Sequence, residues 1–325
     1  QLIGDGLGKI GRPEPKCSDN DFIRLLNEQG PAKTARILGI NERGVHARRV
    51  RLERRLGRKL RTSSGESRSH QSVFPGRLET SLKDGIVIIG GDAHYWPGHP
   101  STGHRAFVKF IKKLKPKVVV VNGDVFDGAS VSRHPSVNWD QNPTVLDELE
   151  TCQARMHEIL QAAGTKCTLY WTLGNHDARF EARLVQTAPE YAGVRGTSLK
   201  DHFSDRWQPC WSVWINDVVV KHRYRGGMNA VRANTLNAGL SIVTNHLHSQ
   251  NVFGVTDYRG TRYGVDTGCL ADIHSKAFVY AEDNPRDWRA GFAVLTFRNG
   301  ALLRPELVSV RDQNTVEFRG EVIRV

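Results

Sequence analysis

The apolar positions of this chain fall into two kinds of block. Ile86-Val87-Ile88-Ile89 and Val118-Val119-Val120-Val121 are short unbroken runs of mostly β-branched residues. Between them Phe107, Phe110, Ile111 and Leu114 recur at helical spacing. This pattern predicts a strand–helix–strand unit whose parallel strands are buried on both faces. Leu146, Leu149, Met156, Ile159 and Leu160 predict a long amphipathic helix over 143–163, and a further parallel strand follows over 166–173. Residues 211–221 read as a hairpin around Asn216-Asp217. A helix over 229–238 and a strand over 241–244 come next, and strand character with Asn299-Gly300 as punctuation predicts a second sheet in the C-terminal part.

The first seventy residues read differently. Ser18 is suited to cap a helix over 19–28 that places Phe22, Leu25 and Leu26 inward. Gly30-Pro31 breaks it, Ala32, Ala35 and Leu38 line a second helix, and Asn41 caps a third over 42–56 after a Gly39-Ile40 turn. The stretch from Ala32 to Val45 resembles a DNA-binding helix-turn-helix. That resemblance places Arg43, His46, Arg48 and Arg49 where a recognition helix meets base edges, with Arg51 and Arg55 continuing the positive face toward phosphates. Residues 1–16 read as a mobile arm and 62–84 as a flexible linker. The resulting division is arm 1–16, helix-turn-helix module 17–61, linker 62–84 and a larger α/β domain 85–325.

Charge supports the division. The chain carries a net charge of +12. Residues 1–70 hold 16 Lys and Arg against 8 Asp and Glu, and the rest hold 30 against 26. A basic module joined to a nearly balanced domain points to a polyanionic partner, DNA or another nucleic acid. The five cysteines form no Cys-x-x-Cys pair, which fits a reducing, cytoplasmic compartment. No apolar run approaches the roughly 20 residues that span a bilayer, so no membrane partner is expected.

The candidate chemistry lies at predicted strand ends. Asp92-x-His94, Asp124-x-x-Asp127, Gly174-Asn175-His176-Asp177, His222 and His246-x-His248 occur in that order. In open α/β sheets, sites form outside the carboxyl ends of strands. Oxygen and imidazole donors without thiolate suit Mn²⁺, Fe²⁺, Zn²⁺ or Ni²⁺. Asp92, His94, Asp124, Asn175, His222, His246 and His248 exceed the needs of one tetrahedral site, so two ions sharing a carboxylate is the natural reading.

These blocks resemble the calcineurin-like metallophosphoesterases, in the form commonly carried by bacteriophages; a phage-infected or bacterial cytoplasm would be the setting. The resemblance implies a two-sheet αββα sandwich and two divalent ions, Mn²⁺ foremost, with Mg²⁺ among the other possible ions. It implies that Asp92, His94 and His248 hold one ion, that Asp124 bridges, and that Asn175, His222 and His246 hold the other. It makes His176 a catalytic acid oriented by Asp127. Gly128 and Leu173 stand where the phosphoprotein-phosphatase branch carries Arg, which argues against phosphoprotein substrates, and Asn245 stands where the last block usually has Gly. Arg133, His134 and Arg179 are candidate phosphate contacts, and Tyr95, Trp96 and Trp139 are candidate stacking rings or core residues. The favoured expectation is a phosphodiesterase or nuclease acting on DNA. The alternatives are a nucleotide or small-molecule phosphoesterase, and a DNA-binding regulator with a non-catalytic scaffold.

Overall fold

The computed structural model describes residues 17–57, 60, 74–132, 142–282 and 287–325. The chain divides into two compact units, 1–73 and 74–325. The expected arm and most of the expected linker lie outside the described residues.

In the first unit, α1 (Asp19–Leu38) is two helices across a break. Gly30 adopts φ 73°, ψ 170°, the left-handed excursion that glycine permits, and Pro31 opens the second half. Ser18 Oγ accepts from Asp21 N, and Gly39 closes the helix in left-handed geometry. α2 (Glu42–Leu56) starts on Asn41, whose side chain accepts from Gly44 N. Phe22, Leu26, Ala35, Leu38, Val45, Leu52 and Leu60 pack together between the helices. The three helical segments lie where the apolar spacing places them.

The second unit is built in chain order from β1 (Leu78–Thr80), β2 (Gly85–Gly90), α3 (Thr102–Leu114), β3 (Val118–Asn122), α4 (Val145–Ala163), β4 (Thr168–Thr172), α5 (Asp177–Thr187) and β5 (Trp207–Cys210). There follow β6 (Val213–Ile215), β7 (Val218–Val220), α6 (Ala230–Ala238), β8 (Ser241–Thr244), β9 (Gln250–Asp257) and β10 (Gly260–Thr267). The C-terminal strands are β11 (Gly291–Arg298), β12 (Ala301–Leu302), β13 (Glu306–Val310), β14 (Thr315–Phe318) and β15 (Glu321–Arg324). One sheet runs β15-β14-β13-β11-β2-β3-β4-β5, with β12 on β11; the other runs β1-β6-β7-β8-β10-β9.

The unbroken apolar runs are explained by burial on both faces. Val87, Ile89, Val118 and Val120 meet Val213, Ile215, Val218, Val220, Val243 and Val265 of the second sheet. Their neighbours Ile88, Val119 and Val121 face the other way, onto Phe107, Phe110 and Ile111 of α3 and Leu149, Met156 and Ile159 of α4. The period-two alternation of a strand thus serves two cores. α6 covers the outer face of the second sheet through Val231 and Thr235, whose neighbours are β8, β9 and β10. The fold is an αββα sandwich.

Two expectations are corrected. The C-terminal strands extend the first sheet, with β11 antiparallel to β2 in the register Ala293↔Ile89. The second sheet comes from β1 and β6–β10. β11 is buried along nearly its whole length, as a central position requires. The end of the expected linker is also structured. β1 pairs parallel with β6, and Phe74 packs into the helix-side core. A protein beginning at Phe74 should therefore unfold cooperatively in urea like the intact domain. One beginning at Gly85 should be less stable by about 3 kcal/mol or more, because it loses a buried Phe and an edge strand. Equal urea midpoints for the two truncations would contradict the placement of β1.

Candidate metal centre

Every candidate ligand follows a strand of the sandwich at its carboxyl end: Asp92 and His94 after β2, Asp124 after β3, Asn175 after β4, His222 after β7, and His246 and His248 after β8. The seam between the two sheets brings these ends together. The loops after β2 and β3 are laced by Asp92 N to Gly123 O at 2.9 Å and His94 N to Asp124 O at 2.9 Å. Asp92, His94, Asp124, His246 and His248 all have φ between 40° and 78°. Such left-handed backbone costs about 1–3 kcal/mol per residue and persists where the surroundings enforce it. It turns each donor inward at once after its strand.

The donors form overlapping triads. Asp92, His94 and His248 have ligand atoms within 4.8 Å of one another, as do Asp124, His222 and His246. His94, Asp124 and His176 make a third such group between them. Each carboxylate has one oxygen fixed by a backbone N–H. Asp92 Oδ2 accepts from His246 N at 2.7 Å, and Asp124 Oδ1 accepts from His176 N at 2.8 Å. The opposite oxygens, Asp92 Oδ1 and Asp124 Oδ2, face the imidazoles.

The donor set fits divalent cations. Among the described residues, seven buried side-chain polar atoms have no hydrogen-bond partner, and five are Asp92 Oδ1, His94 Nε2, Asn175 Oδ1, His222 Nε2 and His248 Nδ1. Folded proteins leave few such atoms, and here five of the seven belong to candidate ligand residues. The outer nitrogens are held instead. His94 Nδ1–H donates to Asp127 Oδ1 at 2.8 Å, and His222 Nδ1–H donates to Asn122 O at 2.9 Å. Partners of this kind set the tautomer and aim the other nitrogen inward.

Electrostatics match. Burial is the largest influence on His94 and His246 and holds both imidazoles below their ordinary range, which favours the neutral form that could ligate a metal. Burial also works against charge on His222, but Asp124 and Asp92 outweigh it and raise that imidazole to about 10. Its Nε2 lies 3.1 Å from Asp124 Oδ2 without hydrogen-bond alignment. Burial also opposes charge on Asp124 and Asp92, but His222 outweighs it at Asp124, and His248 with His222 outweighs it at Asp92, so both carboxyls sit below the carboxylate range.

Sequence reasoning missed the supports. Asp177, fully buried at the start of α5, accepts from Asp124 N, Val125 N, Phe126 N, Gly174 N and Trp171 Nε1. It clamps the loops after β3 and β4 together. Asn245 donates to Thr267 Oγ1 and accepts from Asn122 Nδ2, and Asn122 accepts from Thr172 Oγ1. That chain crosses both sheets and explains Asn245: its amide ties the seam. Glu148 of α4 accepts from Gly128 N and Ala129 N, holding the loop behind Asp127. The motif glycines have a steric reason. A Cβ on Gly174 would strike Asp124 Oδ1, and one on Gly123 would strike the His222 ring.

Asp127 reaches two imidazoles: its Oδ1 is 2.8 Å from His94 Nδ1 and 3.1 Å from His176 Nδ1. His176 Nδ1 also meets Asp127 O at 2.9 Å. Arg179 on α5 donates to Asp127 O at 2.9 Å and to His176 Nε2 at 3.1 Å, which places it beside His176. Arg133, His134 and Trp139 lie outside the described residues. Tyr95 is buried, with its hydroxyl 2.9 Å from His104 Nδ1, so it is a core residue and no stacking platform. Trp96 lines a cavity of about 350 Å³ beside His94.

On α2, Arg43, His46 and Arg51 are exposed. Arg48 corrects the expected recognition face. It is turned inward, donates to Cys17 O at 2.7 Å and Asp19 Oδ1 at 2.8 Å, and lies 4.6 Å over the Phe22 ring. Arg49 pairs with Glu53 at 2.9 Å, and Arg55 pairs with Asp19. With Ile/Leu spacing alone, nothing in the sequence separates inward from outward arginines on so basic a helix.

Two measurements check the centre. The proton on His222 stabilises the metal-free fold fully below about 6.5 and is lost as pH rises through about 10. Mn²⁺ binding at pH 7.5 should therefore release about one proton, read by calorimetry in buffers of different ionisation enthalpy. No buffer dependence would contradict the His222 assignment. Asp127→Asn should weaken Mn²⁺ affinity about 10–100-fold by freeing His94; unchanged affinity would remove Asp127 from the centre.

No curated protein gives a significant match to the chain. Among solved structures, Vps29 from Entamoeba histolytica complexed with Zn²⁺ is similar at 14% identity and a TM-score of 0.38, over 74% of this chain and 98% of that one. Vps29 from Chaetomium thermophilum is similar at 11% identity and a TM-score of 0.38, over 74% and 96%. Residues 86–290 match the family model of the calcineurin-like phosphoesterases, which spans the sandwich from β2 through the last ligand loop and most of the chain. This chain belongs to the calcineurin-like phosphoesterase family.

Proposed function

We propose that this protein is a two-metal phosphodiesterase that cleaves DNA and is brought to it by the N-terminal helical module. The observation that carries the enzymatic part is that Asp92, His94, Asn175, His222 and His248 each keep a buried side-chain atom without a hydrogen-bond partner, while the ligand atoms of Asp92, His94 and His248, and those of Asp124, His222 and His246, lie within 4.8 Å of one another. Bound there, divalent ions supply Lewis acidity and a water activated near neutral pH. Asp92, His94 and His248 would hold one, and Asp124, Asn175, His222 and His246 the other.

The chain's own residues provide the rest. Burial opposes charge on His176, but its hydrogen bond to Asp127 and the charges of Asp124 and Asp127 outweigh burial and raise its proton affinity. A proton held on Nε2 is then available to a leaving oxygen. Arg179, which occupies Nε2 in this structure, is the group a substrate phosphate would draw toward itself. DNA as substrate is supported by the basic balance of residues 1–70 and by the exposed Arg43, His46 and Arg51 at the start and middle of α2. A second reading, a nucleotide or small-molecule phosphoesterase, is favoured by the cavity of about 350 Å³ beside His94.

An Mn²⁺-dependent assay on plasmid, single-stranded DNA, RNA and bis-p-nitrophenyl phosphate decides between them. The proposal expects turnover of DNA and of the small diester, with His176→Ala lowering turnover roughly 10²–10⁴-fold. A protein beginning at Phe74 should keep small-diester turnover while its affinity for long DNA falls and its salt dependence flattens. Turnover of mononucleotides alone would replace the DNA reading with the second one. Undiminished DNA affinity after truncation would end the targeting role of α1 and α2.

A further inference from the structure

Directly after the ligand His222 the chain runs through an exposed turn, Arg223-Tyr224-Arg225-Gly226-Gly227-Met228. From Val218 to Thr256 there is no Asp or Glu, whereas Lys221, Arg223, Arg225 and Arg232 all fall in this span. In a domain of nearly balanced charge, the excess is concentrated on one segment at the rim of the site.

The backbone of this turn is fixed while its side chains project. Asn234 of α6 is 1% exposed, and its amide accepts from Arg225 N at 3.0 Å and reaches Arg225 O at 3.5 Å. A buried amide gripping both polar groups of one exposed residue pins the turn. Tyr224 is 44% exposed. Lys221 Nζ lies 5.3 Å and Arg225 Cζ 6.0 Å from its ring centroid, within cation–π range. Among the described residues no carboxylate pairs with Arg223 or Arg225. Arg223 directly follows the ligand His222 in the chain and is exposed.

We propose that Lys221, Arg223, Tyr224 and Arg225 form a single-strand polynucleotide rim on the catalytic unit, on the side of His222 and His246. The cations take backbone phosphates, and the Tyr224 ring takes the face of an unpaired base, a combination that binds single strands with little sequence preference. A duplex hides its base faces, so this rim favours single strands or opened ends. The inference rests on the phosphodiesterase reading and adds that the catalytic unit has its own grip, independent of α1 and α2.

The test uses the full-length protein, Arg223→Ala/Arg225→Ala and Tyr224→Ala. Anisotropy of a labelled oligo-dT strand, measured in EDTA across a salt series, reads binding without cleavage. The double arginine variant should bind about tenfold more weakly, with a log–log salt slope shallower by about 1.4, the contribution of two phosphates. Tyr224→Ala should weaken binding roughly tenfold with the slope unchanged. With Mn²⁺, the ratio of kcat/KM for the oligonucleotide to that for bis-p-nitrophenyl phosphate should fall about tenfold in both variants. If the native protein cleaves DNA but the variants keep its affinity, slope and ratio, the rim is overturned and the phosphodiesterase reading stands. If the native protein turns over the small diester yet neither binds nor cleaves any strand, both fall. Loss of binding to phosphatidylserine vesicles without loss of oligonucleotide binding would also overturn the rim.

Discussion

Two carboxylates, Asp92 and Asp124, are held out of water at the seam of two sheets, and such groups are tolerated only opposite positive charge. Much of the catalytic unit answers to that constraint. Each carboxylate has one oxygen fixed by a backbone N–H, which leaves the other for a cation. Without one, His222 carries the compensating proton, which is why its imidazole is raised to about 10. The left-handed turns at Asp92, His94, Asp124, His246 and His248 are the conformational cost of aiming five donors inward directly from strand ends.

What holds those turns is a layer of polar contacts behind the donors. Asp177 gathers four backbone N–H groups and an indole N–H, so the loops after β3 and β4 cannot separate without stranding a buried carboxylate. The Thr172–Asn122–Asn245–Thr267 chain joins the sheets where their strands end. Asp127 couples the centre to His176 by touching both His94 and His176. A change in this layer acts on the ions through the ligands' orientation, with no ligand removed.

The parts of this arrangement that were legible in the sequence are those with a local signature. Ile86–Ile89 and Val118–Val121 announce strands buried on both faces, and the ordered Asp, Asn and His motifs announce the donors. The parts that were not legible depend on partners far apart in the chain. Strand character in 291–298 does not say which sheet it joins; the pairing of Ala293 with Ile89 decides that. Leu78 looked like linker because a three-residue edge strand has too little pattern to read, and its pairing with Val213 lies 135 residues away. The inward turn of Arg48 is set by Asp19 and the Cys17 carbonyl, which the spacing of α2 cannot reveal. Asp177 closes a recognised motif, but its role is visible only once the loops after β3 and β4 meet.

On the proposed reading, one seam of this sandwich holds two divalent ions sharing Asp124. Elemental analysis of the full-length protein after Mn²⁺ loading and removal of free metal tests it most directly. About two Mn²⁺ per chain are expected in the native protein and fewer than one in Asp124→Asn, with the fold retained by circular dichroism. A stoichiometry of one in a fully active native protein, or two ions retained by Asp124→Asn, would contradict it.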